Sequence, residues 1–511
     1  MTGATAHGRW AIPVGLFVAV LLSRLPFVTH QLWAWDSVLY ARALENGFHV
    51  DFDLADQRPQ PPGYLLYLAA AAVARMFVGG SNAALVTVSV VASALGAVAV
   101  HQLARRFAGH GASLFVAAGF AANPLVWTYG EVAYPYAVLG LLSVALAGAF
   151  WVVRPGPVPR VLLASFAFGL LAGFRQDILL LLGGLWLWLV WPRSWRVRSV
   201  AASLVTIGAL CWFIPTALLS EGVEVYLRVL GQQGDAVRSS YSVAAQGSSA
   251  FGYNLAFTVY ALAWGLVTFG PVLAVLGLGA AVRAGRAVLV ERRSPSRKVP
   301  PQGTGQRASL APTGRTFFLA WLAPGLAFYV AVHIGEWGYV LSVLPALYVV
   351  TAALLARPLG TLAVPRAAWA VLATLIALAP AGLFVLGGDR FSAAALAHHD
   401  RAIAARVAYV REHFPPDRTI LLTREDYLTV RYYLPEYRAW LYDPEPYHNA
   451  ARRKRATHAT TLVIFTEGLT PRQNLDVRSV QALPGIPITY VTIEAGAVLE
   501  FYRDGFQVRE P

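Results

Sequence analysis

Cysteine and charge are both scarce in this chain. Cys211 is the single cysteine among 511 residues, so no intrachain disulfide can form. Charged residues make up only 13% of the chain, whereas 57% are hydrophobic. One soluble core cannot take up this many apolar residues, and long apolar runs recur through most of the sequence. The composition therefore predicts a polytopic membrane protein.

The chain has more basic than acidic residues, with a formal net charge of +14, but this excess does not indicate nucleic-acid binding. The arginines lie in short segments between apolar runs, where the positive-inside rule places them on the cytoplasmic side. The first apolar run, at about 10 to 28, lacks a small-residue cleavage site and leads into a polar segment. It is therefore expected to be a transmembrane span and not a removed signal peptide.

The apolar runs predict eleven crossings of a hydrocarbon core about 30 Å thick. They fall at about 10 to 28, 84 to 103, 112 to 128, 134 to 152, 161 to 174, 178 to 191, 199 to 219, 253 to 282, 316 to 333, 338 to 355 and 367 to 387. With a cytoplasmic N-terminus every inner loop carries arginine, including 283–315, which is expected to be a disordered basic linker. A shorter apolar stretch, 64–79, contains Arg75 and would invert every later loop if it crossed. It is predicted to be an interfacial helix on the outer side.

The sequence changes character at about residue 388, where charge rises and helical and strand patterns alternate. Residues 392–413 have helical spacing, and TILLT (419–423), TLVIF (461–465) and ITYVTI (488–493) are typical of short strands. The chain is thus expected to be mainly α, with a transmembrane domain over 1–387 and a small α/β domain over 388–511. An odd number of crossings places that second domain outside the cell membrane.

The first outer loop, 29–63, is polar, acid-rich and aromatic, and it closes with a rigid Pro-Pro-Gly. Carboxylates at a membrane surface indicate a reaction site at the lipid boundary. Asp36 lies near the start of this loop, and one interpretation is that it caps a helix at SVLYARAL.

Several outer segments, taken in order, resemble the GT-C glycosyltransferases. They are the early Asp of the first outer loop, PPGY before an interfacial helix, and the later outer ends NPLVWTYGEVAYPYA, AGFRQD, SEGVEVYLRVL and HIGEWGYVLSVLPAL. Within that superfamily the chain is most similar, over roughly residues 10 to 360, to the branch of the protein mannosyltransferases and the lipid A aminoarabinose transferase (glycosyltransferase family 39-like). The resemblance implies an integral plasma-membrane enzyme that moves a sugar from a polyprenyl-phosphate donor to an outer acceptor.

The resemblance assigns the catalytic carboxylate to Asp36. The departing lipid phosphate needs positive charge, for which the planar fork of arginine is well suited. Arg175, in the GFRQD turn, is the first candidate and Arg58 is the second; the alternative for each is an arginine that snorkels to the interface. Gln60 stands where the family often has a charged or imidazole side chain, so it offers a hydrogen bond to the donor phosphate but no charge.

Two further outer turns supply candidates for sugar binding. Glu131 and Tyr134 lie in TYGEVAYPY, where an acid among aromatics resembles a sugar-binding patch; an interfacial aromatic belt is the alternative. By the resemblance, His333 and Tyr339 of HIGEWGY are donor-side residues, and the alternative is a helix-ending turn with aromatic anchors.

No metal site is assigned, and no cofactor is expected with certainty. Asp51, Asp53 and Asp56 have a spacing at which hard oxygen ligands can hold a divalent cation, but a solvated loop surface is favoured. The HHD tripeptide at 398–400 is expected to be surface-exposed, since no third ligand has metal-site spacing.

Two other classes of function stay open: a transporter or flippase of lipid-linked or small solutes, and a catalytically inactive GT-C-like scaffold. Transporters place polar groups near the bilayer midplane within paired repeats, whereas the ionisable residues here gather on one face, and no internal repeat is found. The enzyme is therefore favoured. Its expected partners are the lipid bilayer, a polyprenyl-phosphate sugar donor and a glycan, lipid or protein acceptor.

Overall fold

The structure of the protein is a computed structural model that describes residues 6–49, 64–293, 312–355, 366–442, 453–466, 468–473 and 475–511. The helices are α1 Ala6–Arg24, α2 Trp35–Glu45, α3 Leu65–Val78, α4 Ser81–Ala104, α5 His110–Ala122, α6 Pro124–Tyr129, α7 Tyr136–Val153, α8 Val158–Leu171, α9 Ile178–Leu181, α10 Gly183–Val190, α11 Trp195–Leu219, α12 Val223–Tyr241, α13 Val243–Leu266, α14 Phe269–Arg293, α15 Pro312–Ala331, α16 Leu344–Leu355, α17 Arg366–Leu386, α18 Ala393–His413 and α19 Tyr427–Tyr433. The strands are β1 Thr419–Thr423, β2 Arg438–Leu441, β3 Arg453–Arg455, β4 Thr461–Ile464, β5 Val477–Leu483, β6 Ile486–Thr492, β7 Val498–Tyr502 and β8 Gly505–Arg509.

The helical region is that of a multi-pass membrane protein. Within the described residues, four helices are long and apolar enough to cross a bilayer: Trp10–Phe27, Ser81–Ala104, Tyr136–Val153 and Trp195–Leu219. Five shorter apolar helices accompany them, at Leu65–Val78, His110–Ala122, Val158–Phe174, Leu344–Leu355 and Val371–Leu386. The stretch predicted to be an interfacial helix is α3, which is indeed a helix. Eleven crossings, and the side on which α3 lies, stay predictions.

One expected span is divided in the structure. Residues 253–282 were expected to form a single crossing, but Val243–Leu266 and Phe269–Val282 meet at an angle of 100°. The break falls at Val267, which has a positive φ of 39° and so cannot continue a right-handed helix. An apolar run alone shows no such break, because both halves remain hydrophobic.

Small residues allow helices in the membrane region to approach closely. A Cβ added to Gly169 of α8 would collide with the carbonyl oxygen of Val205 in α11, and one added to Gly208 would meet the carbonyl oxygen of Phe166. Helix pairs in lipid depend on such backbone proximity, since burying apolar surface from lipid gains little. The α8–α11 pair is therefore fixed by two glycines, one on each helix.

The tail contains the predicted small α/β fold. A five-stranded mixed sheet has the order β2-β1-β4-β6-β5, in which β1 is parallel to both β2 and β4. A second, three-stranded antiparallel sheet has the order β3-β7-β8. The predicted helix over 392–413 is α18, and the three predicted strands are β1, β4 and β6, each within two residues at either end.

The tail packs directly on the segment between α1 and α2. The Asp400 carboxylate of α18 accepts hydrogen bonds from the backbone N–H groups of His30, at 2.6 Å, and Gln31, at 3.0 Å. The Tyr433 hydroxyl accepts one from the N–H of Leu32 at 3.0 Å. A solvated surface was expected for the HHD tripeptide, but Asp400 instead satisfies loop donors some 370 residues away in sequence. The tail thus positions the segment that leads to Asp36.

Candidate active site

Asp36 lies in the first turn of α2, and its carboxylate points to another segment. The residue at the N-cap is Ala34, whose N–H donates to the Ser37 hydroxyl at 3.2 Å, so Asp36 is not the helix cap. Its Oδ2 accepts a hydrogen bond from the Tyr134 hydroxyl at 3.0 Å. A negative charge in the first turn is also favoured by the helix dipole. The position of Asp36 is therefore fixed by both α2 and the turn between α6 and α7.

That turn, residues 130–135, is tied to the first loop by its backbone. The carbonyl oxygen of Glu131 accepts from the N–H of Thr29 at 3.0 Å and from its hydroxyl at 2.9 Å. The carbonyl oxygen of Tyr134 accepts from the buried Ser89 hydroxyl of α4 at 3.0 Å. These bonds hold the Tyr134 side chain in place relative to α2.

Four tyrosines extend from Asp36 into the protein. The ring centroids of Tyr134 and Tyr136 are 4.9 Å apart, those of Tyr129 and Tyr136 are 5.0 Å apart, and those of Tyr136 and Tyr339 are 5.5 Å apart. Such distances are typical of paired aromatic rings. Tyr339 comes from the turn after α15, so two widely separated predicted turns meet here.

Arg175 completes this group. Its side chain is only 3% exposed, and its Nε donates to both carboxylate oxygens of Asp177, at 3.0 and 2.9 Å. The guanidinium carbon lies 4.3 Å from the centre of the Tyr136 ring, 4.8 Å from that of Tyr339 and 5.7 Å from that of Tyr64. The cation–π contacts and the ion pair with Asp177 together fix the position of the Arg175 guanidinium. We call Asp36, Tyr64, Tyr129, Tyr134, Tyr136, Arg175, Asp177, Glu336 and Tyr339 the Asp36–Arg175 cluster.

Two glycines make room for the cluster. A Cβ at Gly338 would overlap the ring of Tyr136, and a Cβ at Gly173 would lie 2.7 Å from Trp212 and 2.8 Å from Leu66. Gly173 is the first residue of the GFRQD turn that carries Arg175. A larger residue at Gly338 would displace the Tyr136 ring, and one at Gly173 would displace Trp212 and Leu66, which pack against the start of that turn.

Glu336 is the carboxylate that the aromatic group holds, and the sequence analysis did not select it. Its carboxylate accepts a short hydrogen bond from the Tyr129 hydroxyl, which is 207 residues away. Burial raises the pKa of Glu336, and the hydrogen bonds from Tyr129 and Trp337 and the charges of Arg390 and Arg175 oppose that rise. The sequence signal that could have identified Glu336 is an acidic residue within the apolar segment HIGEWGYV. In membrane proteins an ionisable side chain in such a segment costs free energy and usually marks a functional site.

Glu131, which was expected beside these tyrosines, turns elsewhere. It is fully buried, and its Oε1 accepts from the indole N–H of Trp127 at 2.5 Å. Burial raises the pKa of its carboxyl, and the nearby charge of Arg24 offsets part of the rise. Arg24 itself donates to the carbonyl oxygen of Ala121 at 2.6 Å and lies 4.2 Å from the centre of the Trp127 ring. The contacts of the Glu131 side chain are thus with Trp127 and Arg24, whereas its backbone serves the site.

His333 lies at the edge of the cluster. Its ring centroid is 4.7 Å from that of Tyr241 in α12 and 6.2 Å from that of Tyr339. The Tyr329 hydroxyl donates to the carbonyl oxygen of Tyr339 at 2.7 Å, which fixes the turn between them. The structure therefore brings His333, Tyr339, Tyr134, Arg175 and Asp36 into one neighbourhood.

Some predicted site residues lie outside the described residues. These are Arg58, Gln60, Asp51, Asp53 and Asp56. Among the residues that the structure describes, no group of three or more His, Cys, Asp or Glu side chains is arranged to hold a metal ion. The solvated loop surface expected at Asp51, Asp53 and Asp56 therefore stays a prediction.

The cluster combines a carboxylate that can accept a proton, a buried and fixed guanidinium, and a wall of tyrosine hydroxyls. In such a setting the carboxylate suits proton removal from a hydroxyl group, and the guanidinium suits stabilisation of an anion. The two groups come from chain positions 36 and 175 and are joined through Tyr134 and Tyr136.

Comparison with solved structures identifies the fold. The chain is similar to ArnT from Cupriavidus metallidurans in the apo state, with a TM-score of 0.54, 14% identity and coverage of 96% of this chain and 99% of that one. For ArnT bound to undecaprenyl phosphate the TM-score is 0.56, again at 14% identity, with coverage of 96% and 98%. An Archaeoglobus fulgidus oligosaccharyltransferase complex with Zn and sulfate matches at a TM-score of 0.48 and 14% identity, over 84% of this chain and 62% of that one. The chain therefore shares the fold of the two ArnT structures, which is the kind of fold that the sequence motifs predicted.

Sequence comparison adds nothing to this assignment. No family model matches the chain, and no curated protein matches it. At 14% identity the two ArnT structures establish the shared architecture.

Proposed function

We propose that this protein is an inverting glycosyltransferase that moves a sugar from a polyprenyl-phosphate-linked donor to an acceptor hydroxyl at the outer face of the membrane. The observation that supports this most is the connection of Asp36 to Arg175 through Tyr134 and Tyr136. A base and a fixed cation in one group are the two elements that this reaction needs.

In the proposed reaction the Asp36 carboxylate removes the proton of the acceptor hydroxyl. The acceptor oxygen attacks the anomeric carbon from the side opposite the phosphate, and the bond from that carbon to the phosphate oxygen breaks. The bonding electron pair leaves with the polyprenyl phosphate, whose negative charge the Arg175 guanidinium stabilises. Because one displacement occurs, the anomeric configuration inverts.

Neighbouring side chains would orient both the Asp36 carboxylate and the Arg175 guanidinium. The Tyr134 hydroxyl donates to Asp36 and so orients the carboxylate. Asp177 holds the Arg175 Nε, and the Tyr339 side chain is a further hydrogen-bond partner of Arg175. In this proposal the terminal nitrogens face the phosphate beside Tyr339. Arg58 and Gln60 are proposed as further donor-phosphate contacts.

The sugar would lie against the tyrosine wall. His333, Tyr134 and Tyr339 are proposed as sugar contacts, with Glu336 as the acid that orients them through Tyr129. Glu131 is kept as a sugar-site residue only through its backbone, which supports the Tyr134 turn.

The donor lipid and the topology complete the proposal. The fold is shared with ArnT, one of whose solved structures holds undecaprenyl phosphate, and this supports a polyprenyl-phosphate donor here. A cytoplasmic N-terminus, eleven crossings and an extracytoplasmic tail in the plasma membrane agree with the arginine-bearing inner loops.

The test is transfer of label from a radioactive polyprenyl-phosphate sugar by the full-length protein in nanodiscs. Membranes from cells that lack the protein serve as the acceptor source. The Asp36→Asn variant should transfer about 100-fold to 10,000-fold more slowly than wild type, the range expected for loss of a general base, while donor binding stays unchanged.

The matched control is Asp389→Asn, which alters an exposed acid at the start of the tail and should transfer at the wild-type rate. Equal transfer by Asp36→Asn and wild type would end the proposal. Movement of the lipid-linked sugar between leaflets without transfer would favour a flippase instead.

A further inference from the structure

The tail sheet contains a topological switch point. From β1 the chain passes through α19 to β2 on one side, whereas β4 lies on the other side of β1. All three strands are parallel, so the carboxyl ends of β1 and β4 are adjacent while their connections diverge. In α/β sheets such a divergence opens a crevice in which ligands bind.

A cavity of about 790 Å³ lies at this edge of the sheet. It receives Glu425 and Asp426 from the segment after β1 and Thr466 from the segment after β4. The opposite wall is α18 with the segment before it, which contribute Arg390, His398, Arg401 and Arg406. We call this cavity the tail cleft, and its volume suits a small ligand.

The tail cleft is lined by a pair of opposite charges, of which Arg406 is buried and Asp426 is half-buried. Arg406 is only 7% exposed, and its guanidinium acts electrostatically on the Asp426 carboxyl. The Thr466 hydroxyl donates to Asp426 Oδ2 at 3.2 Å and accepts from the N–H of Arg424 at 2.9 Å. Burial raises the pKa of Asp426, which Arg406 and Thr466 oppose. Arg406, Asp426 and Thr466 thus place a cation, an anion and a hydroxyl group side by side on the wall of the cavity.

The rim adds positive charge. Arg390 and Arg401 are exposed and line the cavity together with the exposed His398. With Arg406, three guanidinium groups face two carboxyls, those of Glu425 and Asp426. The cleft thus combines donors suited to an anion with carboxylate and hydroxyl oxygens suited to sugar hydroxyls.

The same turn of α18 contacts the first outer loop. His399 Nε2 lies 3.2 Å from the carbonyl oxygen of Leu32, and its ring centroid is 4.6 Å from that of Trp33. Asp400 holds the N–H groups of His30 and Gln31. One turn of helix therefore lines the tail cleft and also fixes the segment that precedes Asp36.

We propose that the tail cleft binds an anionic sugar, one that bears a carboxylate or a phosphate, and that it presents the acceptor glycan to the Asp36–Arg175 cluster. The guanidinium groups of Arg401 and Arg406 take the anion, and Asp426 with Thr466 takes the ring hydroxyls. The acceptor role rests on the proposed function, whereas the binding of an anionic sugar does not.

Binding is tested with full-length protein in nanodiscs by saturation-transfer NMR. The probes are glucuronate and glucose 6-phosphate, with glucose as the uncharged reference. Wild type should bind both anionic sugars, and Arg401→Glu should weaken them at least tenfold because it reverses one rim charge. The matched control is Arg418→Glu, since Arg418 is 69% exposed and lies at the opposite, amino end of β1. It should bind like wild type.

A second arm distinguishes a free sugar from a lipid headgroup. Nanodiscs that contain phosphatidylinositol, whose phosphate adjoins a polyol ring, are compared with nanodiscs of phosphatidylglycerol. If the anionic sugar is carried on lipid, phosphatidylinositol displaces glucose 6-phosphate; if it is free, displacement is absent and soluble binding persists. Either result supports the tail cleft as an anionic-sugar site.

Two results overturn the proposal: absence of binding of both anionic sugars to wild type, and equal losses in Arg401→Glu and Arg418→Glu, which would show only a general charge effect. Failure of the proposed function is separate. Transfer that depends on Asp36 without sugar binding in the cleft refutes the cleft alone. Binding in the cleft without transfer refutes the enzyme and the acceptor role, and leaves the anionic-sugar site standing.

Discussion

The helical region and the tail treat apolar side chains in opposite ways. Between Trp10 and Leu386 large apolar side chains are often exposed, for example Leu218 at 65% and Leu386 at 86%. After residue 388, within the part of the chain that the structure describes, only Val477 and Leu483 are exposed in this class. One chain therefore folds in two solvents. Apolar side chains can remain on the surface where lipid surrounds the protein, whereas they are buried inside the fold where water surrounds it.

The two regions nevertheless share one core. Leu396 of α18 and Leu428 of α19 belong to the same cluster of buried side chains as Val38 of α2 and Leu85 of α4. The expected boundary at residues 387 and 388 is therefore a change of solvent and not a gap in packing. The polar chemistry gathers near this junction, where the Asp36–Arg175 cluster and the loop held by Asp400 lie on neighbouring segments.

After the loss of the Asp36 carboxylate, the largest expected effect comes from removing the fixed cation of the helical region. Arg175→Gln should lower transfer about 100-fold to 1,000-fold, the loss expected when one group that stabilises developing charge is removed. Arg175→Lys should fall between this variant and wild type, since it keeps the charge but loses the fork. The measurement is single-turnover transfer in nanodiscs.

The Arg175 variants need a control because the change leaves Asp177 without its ion-pair partner. The double variant Arg175→Gln with Asp177→Asn removes that half-buried charge and should restore thermal stability without restoring transfer. Wild-type transfer by either protein would show that the guanidinium has no part in the reaction.

The next prediction compares a leucine-to-alanine substitution in the tail with the same substitution in the helical region. Leu421→Ala, in the fully buried β1, should destabilise the tail by about 2–5 kcal/mol through the lost apolar contacts and the cavity left behind. Leu218→Ala, on the lipid-facing side of α11, should change stability by less than about 0.5 kcal/mol. Thermal unfolding in nanodiscs measures both. Similar losses would mean that the surface of α11 is covered by protein and not by lipid.

A smaller effect is expected at the junction. Asp400→Ala removes the acceptor for two backbone N–H groups and should cost about 1–3 kcal/mol of stability. We expect proteolysis near residues 30–33 to accelerate and transfer to fall, because the loop before Asp36 loses its support. Ala397→Ser, an exposed change on the same helix, is the control. An unchanged cleavage rate would show that the junction is held by other contacts.

The smallest effect is a pH dependence at the same junction. Burial lowers the pKa of His399, and the neighbouring His398 lowers it further. The hydrogen bond to the Leu32 carbonyl and the negative charge of Asp400 oppose this lowering of the pKa. Between the lowered folded pKa and the ordinary value of about 6.5, the unfolded chain binds more protons than the folded one. Stability should therefore fall as the pH is lowered below about 6.5.

His399→Gln keeps a hydrogen-bond donor for Leu32 but does not titrate. Its unfolding temperature should vary less than that of wild type between pH 7.5 and 5.5, measured in the same nanodiscs. Parallel pH curves for the two proteins would exclude His399 as the titrating group.

Much of this architecture followed from local patterns. The strand at 419–423 and the helix at 392–413 were predicted because period and length specify each of them locally. Asp36 was selected through the resemblance to a known family, and Arg175 from a tight turn between apolar runs. Glu336 was not selected, because its significance depends on Tyr129, and the break at Val267 leaves no trace in an apolar run.

The identity of the solvent around each segment was written in the amino-acid sequence, since hydropathy and arginine placement report it residue by residue. The sequence did not specify which side chains pair. Tyr134 donates to Asp36 and the N–H of His30 donates to Asp400 across long sequence separations, and the carboxylate of Glu131 accepts from Trp127 although an aromatic sugar-binding patch was expected. Only the packed chain decides such pairs, because the free energy that selects them depends on neighbours that no local window contains.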